Sequence, residues 1–254
     1  MGLLGEDEPP PVRLLRPESP AALFLTADHA GNRIPRALGD LGLSESERRR
    51  HISWDIGIAG VTERLSELLG ATAVLQAYSR LVIDCNRAPG HLTSIPVVSE
   101  YTKIPGNAGL GAAPREARRR AIFDPYHAAI SGLLDARQEA GRRTVLAAMH
   151  SFTPVFKGVA RAVQVGVLYR HETPLSRLML ELLRAEGDLA VGANEPYAIT
   201  DDSDYTVPVH GEGRGLPHVE IEIRQDLIAD PAEQQSWAER MARLLAEAEA
   251  RLCG

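Results

Sequence analysis

Two histidines follow short apolar runs and could bind one metal ion together. His29 comes after the run 22–27, and His150 ends the run 144–149. The carboxyl ends of the strands carry the chemistry in sheets of the α/β class, so two imidazoles delivered there from different strands predict a shared ion. Imidazole is also the commonest protein ligand for metals. The alternative for either ring is a structural histidine.

A catalytic zinc site would need a third protein ligand and one open coordination position. Two carboxylates are candidates for that ligand: Asp28 directly precedes His29, and Asp55 stands at the start of a predicted helix. The alternative for Asp55 is a first-turn helix acid that satisfies backbone donors. The sequence has no His-Glu-x-x-His helix, so the common metalloprotease signature is absent.

A second polar group ends the short run 80–83. Asp84, Asn86 and Arg87 follow that run within four residues. A guanidinium binds a carboxylate through two parallel hydrogen bonds, and the side chains of Asp84 and Asn86 could orient it. This group predicts recognition of a small anionic substrate, and a surface arginine is the alternative.

The segment 218–224 reads as a strand with one charged face. His218, Glu220, Glu222 and Arg224 alternate with valine and isoleucine, so they share one side of the strand. Glu222, nearest the carboxyl end, is placed to take a proton from water activated by a metal, if its surroundings tune its pKa. An exposed sheet face is the alternative.

A glycine-rich stretch near residue 210 carries one more histidine and one more arginine. His210 and Arg214 lie there, and a loop of this kind could close over a substrate. A plain surface loop is the alternative. His127 lies instead on an apolar helix face, which predicts a core histidine.

Length and charge limit the class of protein. The 254 residues carry a net charge of −6, which gives no general attraction to nucleic acid or to an anionic membrane. No segment has the apolar length of a membrane span, and the N-terminus lacks the basic and apolar parts of a signal peptide. Two cysteines build no disulfide framework. We expect a cytoplasmic protein without nucleic-acid or membrane partners, of undetermined oligomeric state.

The pattern of elements predicts how these residues are positioned. We expect a flexible leader over residues 1–20 and a single domain over 21–254. Strands are predicted at about 22–27, 71–76, 144–150, 162–169 and 218–223, and helices at about 45–51, 55–69, 114–139, 175–185 and 232–252. Such alternation predicts an α/β fold with a largely parallel or mixed sheet. Two long irregular stretches, 88–112 and 192–216, have the length of functional loops.

Six segments together resemble the N-formylglutamate amidohydrolase family. They are ADHAGNRIP (27–35), SWDIG (53–57), SRLVIDCNR (79–87), DPYHAAI (124–130), MHSF (149–152) and HVEIEIRQDL (218–227). The resemblance implies a three-layer α/β/α fold of the phosphorylase/hydrolase-like type, related to zinc carboxypeptidases. It also implies hydrolysis of N-formyl-L-glutamate to formate and L-glutamate in histidine breakdown, with one divalent ion, zinc, as cofactor.

Position by position, the resemblance implies particular roles in the metal site. His29 and His150 match the metal ligands, and Glu222 matches the late general base. Zinc carboxypeptidases have a glutamate three residues after the first histidine, where this chain has Asn32. We therefore assign the third ligand to Asp55.

The resemblance also implies a substrate site. Asn86 and Arg87 are similar to the Asn-Arg pair with which carboxypeptidases hold a substrate carboxylate. A second cation, Arg214 or Arg224, would bind the side-chain carboxylate of a glutamate. Two other functions stay open: a carboxypeptidase-like amidase for larger acylated or peptide substrates, and a non-catalytic protein that binds small anions without a metal.

Overall fold

A mixed seven-stranded sheet between two helical layers forms the protein. The computed structural model describes residues 2–200 and 204–252. In chain order the strands are β1 (Val12–Leu15), β2 (Leu23–Ala27), β3 (Thr72–Gln76), β4 (Val98–Ser99), β5 (Thr102–Lys103), β6 (Val145–Phe152), β7 (Val155–Phe156), β8 (Val159–Ala160), β9 (Val165–Leu168), β10 (Val191–Ala193) and β11 (His218–Arg224). The pairs β4–β5 and β7–β8 form separate short hairpins.

The α-helices of the described chain are α1 (Glu45–Arg48), α2 (Ile58–Leu69), α3 (Ala112–Arg118), α4 (Asp124–Glu139), α5 (Pro174–Ala185) and α6 (Pro231–Arg251). Capping boxes begin α1, α5 and α6, with Ser44, Thr173 and Asp230 as the N-caps. These side chains satisfy backbone donors that the first turn leaves open, which is why the helices begin there.

The strand order across the sheet is β1-β3-β2-β6-β11-β9-β10. β6 lies between β2 and β11 and runs parallel to both. The pairs β2–β3 and β9–β10 are also parallel, whereas β1 and β9 run antiparallel to β3 and β11. The carboxyl ends of β2, β6 and β11 therefore meet at one edge. The predicted three-layer fold with a mixed, mostly parallel sheet is confirmed.

Both faces of the sheet are buried. On one side, Leu25 of β2 and Ile221 of β11 share a core with α2, α5 and α6. On the other side, Phe24 and Val74 pack with α4. A strand buried on both faces reads as an unbroken apolar run, which explains why β2 and β6 were predictable.

Two predicted elements differ in the structure. Residues 12–15, expected within a flexible leader, form the edge strand β1, which pairs with β3. The helix expected over 114–139 is interrupted by a wider π-helical turn over Arg119–Phe123. No described helix combines the length and apolar composition that crossing a membrane requires.

Candidate metal and active site

The candidate site lies where β2, β6 and β11 end. His29 sits in the turn after β2, and His150 lies within β6 directly opposite Glu222 of β11. Gly31 allows the first turn to lie against the end of β3, because a Cβ atom at residue 31 would be 2.1 Å from the carbonyl oxygen of Ala77. The three strands thus bring both histidines and Glu222 to the same edge.

Asp55 is held toward this edge and does not cap α2. Its backbone N–H donates to the carbonyl of His29 at 2.9 Å. The N-cap of α2 is Gly57, at φ 84°, and no side chain caps this helix. A Cβ at residue 57 would lie 2.2 Å from the carbonyl oxygen of Ile228, so the tight glycine turn leaves the Asp55 carboxylate facing the histidines.

Three potential ligand atoms converge at the centre of the site. The Nδ1 atoms of His29 and His150 lie 3.4 and 3.0 Å from the same oxygen, Oδ2 of Asp55. The two ring centroids are 5.0 Å apart. All three residues are at least nine-tenths buried, so the sequence-predicted ligands are brought together.

Each imidazole is oriented by a second carboxylate at its other nitrogen. His29 Nε2 lies 2.7 Å from Oδ1 of Asp84, and His150 Nε2 lies 3.2 Å from Oδ2 of Asp28. Thr206 donates its hydroxyl hydrogen to the other oxygen of Asp28. A carboxylate that accepts a hydrogen bond from Nε2–H keeps the ring proton on Nε2, which leaves Nδ1 unprotonated and able to bind a metal.

This arrangement fits a divalent metal ion. Tetrahedral ligands at about 2.0–2.2 Å from an ion lie about 3.3–3.6 Å from each other, close to the separations around Asp55. His29 Nδ1 is buried without a hydrogen-bond partner, as a ligand nitrogen would be before an ion binds. Two imidazoles and one carboxylate are a donor set that zinc accepts in catalytic sites.

The charges of the site keep its aspartates ionised. Burial raises the pKa of Asp55, but His29 and His150 outweigh burial and hold this pKa far below its ordinary value. Burial likewise opposes ionisation of Asp28, yet His150 lowers its pKa to about 2. Protons on the imidazoles therefore balance these carboxylates until a cation replaces them.

Arg80 is the guanidinium closest to this group. Its Nε and Nη2 donate to Oδ2 of Asp84 at 3.1 and 2.7 Å. Its Nη1 lies 3.5 Å from Oδ1 of Asp55. The sequence reasoning assigned Arg80 no role, although its spacing of four residues from Asp84 was a readable signal.

Two glutamates of β11 reach the same cavity from their shared face. Glu220 and Glu222 are 2% and 7% exposed, and one oxygen of each has no hydrogen-bond partner in the described chain. Burial raises the pKa of Glu222 to about 8, although His150 lowers it. Burial and the nearby Asp204 raise the pKa of Glu220 well above its ordinary value. A carboxyl with a pKa near neutrality can exchange protons during catalysis.

A cavity of about 470 Å³ joins these groups. His29, Asp55, Arg80, Asp84, His150 and Glu222 line it. Other lining side chains, which the sequence reasoning did not single out, are His51, Glu100, Phe152, Phe156, Tyr197 and Asp204. Phe152 ends β6, whereas the others come from loops and short hairpins, where periodicity gives no signal.

Comparison with known proteins agrees with this geometry. The sequence profile of the N-formylglutamate amidohydrolase family matches residues 21–229. The chain belongs to the N-formylglutamate amidohydrolase family. As a member of this family, the protein is an enzyme that hydrolyses amides, which favours catalysis over mere anion binding.

Two solved structures are similar to this amidohydrolase. Gene product Atu2144 from Agrobacterium tumefaciens shares 39% identity, with a TM-score of 0.95 over 99% of this chain and 100% of that one. An N-formylglutamate amidohydrolase from Ralstonia eutropha JMP134 shares 21% identity, with a TM-score of 0.68 over 94% of this chain and 97% of that one. A search of curated proteins found no match.

Asn86 and Arg87 both line the cavity of the amidohydrolase, but Asn86 already has partners. Its Oδ1 accepts the backbone N–H groups of Tyr205 and Thr206, and its Nδ2 donates to Asp204. Asn86 therefore holds the segment 204–206, of which Asp204 lines the cavity. Arg87 donates through Nη1 to the carbonyl oxygen of Asn86 and lines the cavity.

The two other predicted arginines lie elsewhere in this amidohydrolase. Arg214 forms an ion pair with Asp135, and neither Arg214 nor Arg224 is among the residues lining the cavity. Arg224 pairs with Asp226 and donates to backbone carbonyls at residues 161–163. The strand pattern placed Arg224 on the face of Glu222, but its position at the strand end lets the side chain turn away.

His210 does not face the cavity and pairs with His127. The His210 Nε2 lies 2.9 Å from His127 Nδ1, and His127 Nε2 donates to the carbonyl of Cys85 at 2.8 Å. Burial lowers the pKa of both histidines, that of His210 to about 3, and so disfavours their charged forms. His127 is the core histidine that its helix face predicted. Residues 201–203 of the stretch 192–216 lie outside the described chain.

Proposed function

We propose that the protein hydrolyses the amide bond of N-acyl amino acids, with N-formyl-L-glutamate as the foremost substrate. The reaction would yield formate and L-glutamate and would use one divalent ion, zinc, held by His29, Asp55 and His150. The convergence of two Nδ1 atoms on one Asp55 oxygen, beside Glu222, is the observation that carries this proposal. A cytoplasmic location and a role in histidine breakdown stay predictions from the sequence.

When bound, the ion supplies Lewis-acid chemistry by polarising the amide carbonyl and making water more acidic. Glu222 takes a proton from the attacking water and passes it to the amide nitrogen as the C–N bond breaks. Its Oε2, which is buried without a hydrogen-bond partner in the described chain, is placed for both halves of that transfer. Asp28 and Asp84 keep the two imidazoles in the required orientation.

Two arginines complete the proposed mechanism. Arg80, fixed by Asp84 and lying beside Asp55, is placed to stabilise the negative oxygen that develops on the carbonyl. Arg87 holds the α-carboxylate, because a planar guanidinium matches a carboxylate through two hydrogen bonds. Asn86 supports this contact through the segment 204–206.

The proposal is tested by measuring metal content and formate release together. Purified wild type should contain about one zinc per chain and release formate from N-formyl-L-glutamate. Glu222→Gln should keep the metal and lose formate release, whereas His29→Ala should lose both. Formyl, acetyl and peptidyl glutamate, compared side by side, identify the acyl group. Absence of amine release from every one of them by the zinc-loaded protein would refute the proposal.

A further inference from the structure

Arg161 packs against aromatic side chains that line the cavity, and no ion pair joins it to a carboxylate of the described residues. Its guanidinium carbon lies 4.6 Å from the ring centroid of Tyr197, 4.8 Å from that of Phe156 and 5.6 Å from that of Phe152. Its Nη1 also reaches the carbonyl of Thr153, at 3.4 Å. All four of these neighbours line the cavity.

The backbone of Arg161 is fixed from two sides. Its N–H donates to the carbonyl of Pro154 at 2.8 Å, across the turn that contains the β7–β8 hairpin. Its carbonyl accepts a hydrogen bond from Nη1 of Arg224 at 3.1 Å. Arg224 therefore acts at a distance from the cavity, by holding the segment that carries Arg161.

The positive charge of Arg161 affects the pKa values of side chains that line the cavity. His51 lines that cavity and contacts Glu100. Burial lowers the pKa of His51, Glu100 opposes this effect, and the positive charges of Arg50, Arg80 and, least of these, Arg161 lower it further. Burial and Glu222 raise the pKa of the Tyr197 phenol, and Arg161 opposes this rise. A guanidinium stacked on aromatic rings keeps its N–H edges available and is already ordered before a ligand binds.

The other arginines of the cavity are committed elsewhere. Arg80 is paired with Asp84 and Asp55, and Arg87 is the group proposed for the α-carboxylate. A substrate with a second carboxylate would leave that charge without a partner unless another cation faced it. Arg161 packs on the aromatic side chains of the cavity wall, which makes it the candidate for that cation.

We propose that Arg161, supported by Tyr197, is a carboxylate-binding subsite that holds the side-chain carboxylate of a dicarboxylic substrate. The inference rests on the proposed function, because it takes the substrate to be an N-acyl derivative of an acidic amino acid. Arg161 binds the substrate and takes no part in proton transfer. It therefore determines which amino acid is accepted, whereas the metal site determines the reaction.

Calorimetric titration of the metal-containing protein with L-glutamate and with L-glutamine tests this subsite. The two ligands have the same α-groups and differ in the charge of the side chain. Wild type should bind glutamate about tenfold more tightly than glutamine, or better, as expected for a charge-assisted bidentate contact. Arg161→Met, which keeps packing on the rings, should bring the two affinities within about twofold of each other. Arg161→Lys should keep part of the preference.

Lys157→Met is the matched control, since it removes the same charge from the same hairpin. Among the described residues, the ammonium group of Lys157 stacks on the ring of Phe156 but, unlike Arg161, not on those of Phe152 and Tyr197. This control should keep the wild-type ratio. An unchanged ratio in Arg161→Met, or a wild type that binds both ligands equally, would overturn the subsite. Because binding is measured, a protein that discriminates the ligands without hydrolysing any N-acyl amino acid would refute the proposed function and leave the subsite standing.

Discussion

Glu222 should make the metal-free protein less stable as the pH rises. Its pKa is about 8 in the folded chain, against 4.5 as the ordinary value. Between these two values the folded state holds a proton that the unfolded state has lost, so stability falls as pH increases through this window. Integrated from pH 5 to pH 9, a shift of this size corresponds to about 4 kcal/mol. Glu222→Gln removes this titration.

The measurement is urea unfolding of chelator-treated wild type and Glu222→Gln at pH 5, 7 and 9. From pH 5 to pH 9, the free energy of unfolding of the variant should rise by about 2–4 kcal/mol relative to that of wild type. Most of this change should occur between pH 5 and pH 8. Glu239→Gln, on the exposed side of α6, controls for the loss of one negative charge. A difference between variant and wild type that stays within about 1 kcal/mol from pH 5 to 9 would refute the burial argument.

Three further predictions concern the ion and the core. His150→Ala should reduce bound zinc from about one per chain to near zero, measured by atomic emission, because two ligands hold the ion poorly. Asp84→Asn should weaken metal binding about 10–100-fold in a chelator competition, and an unchanged affinity would exclude its role in orienting His29. Ile221→Ala should cost about 2–5 kcal/mol in urea unfolding and leave the zinc content unchanged, since Ile221 is fully buried on the face of β11 opposite Glu222.

The sequence predicted the strands and the histidines because both depend on local pattern. Strands buried on both faces appear as apolar runs, and the residue that ends such a run lies at the functional edge of the sheet. This reasoning located His29 and His150 without any tertiary information. The alternation of charged and apolar residues over 218–224 correctly placed Glu220 and Glu222 on one face of β11.

The sequence could not assign the roles of residues that depend on contacts with distant parts of the backbone. Asp55 had two local interpretations, and the contact of the Gly57 turn with Ile228 separates them. Arg224 shares the pattern of Glu222, yet its partners are carbonyls about sixty residues away. Arg161 has no periodic context, and its aromatic neighbours come from β6, a hairpin and a later loop.

The balance of buried charge explains why the site around His29, Asp55 and His150 favours a cation. Five carboxylates there are at least nine-tenths buried, namely Asp28, Asp55, Asp84, Glu220 and Glu222. Among the described residues, one arginine, Arg80, hydrogen-bonds to these carboxylates, namely to Asp55 and Asp84. Buried negative charge without compensation is costly, so a metal-free site must take up protons on the imidazoles and the glutamates. A divalent ion held by His29, Asp55 and His150 would replace the two imidazole protons charge for charge, so the fold would keep its charge balance.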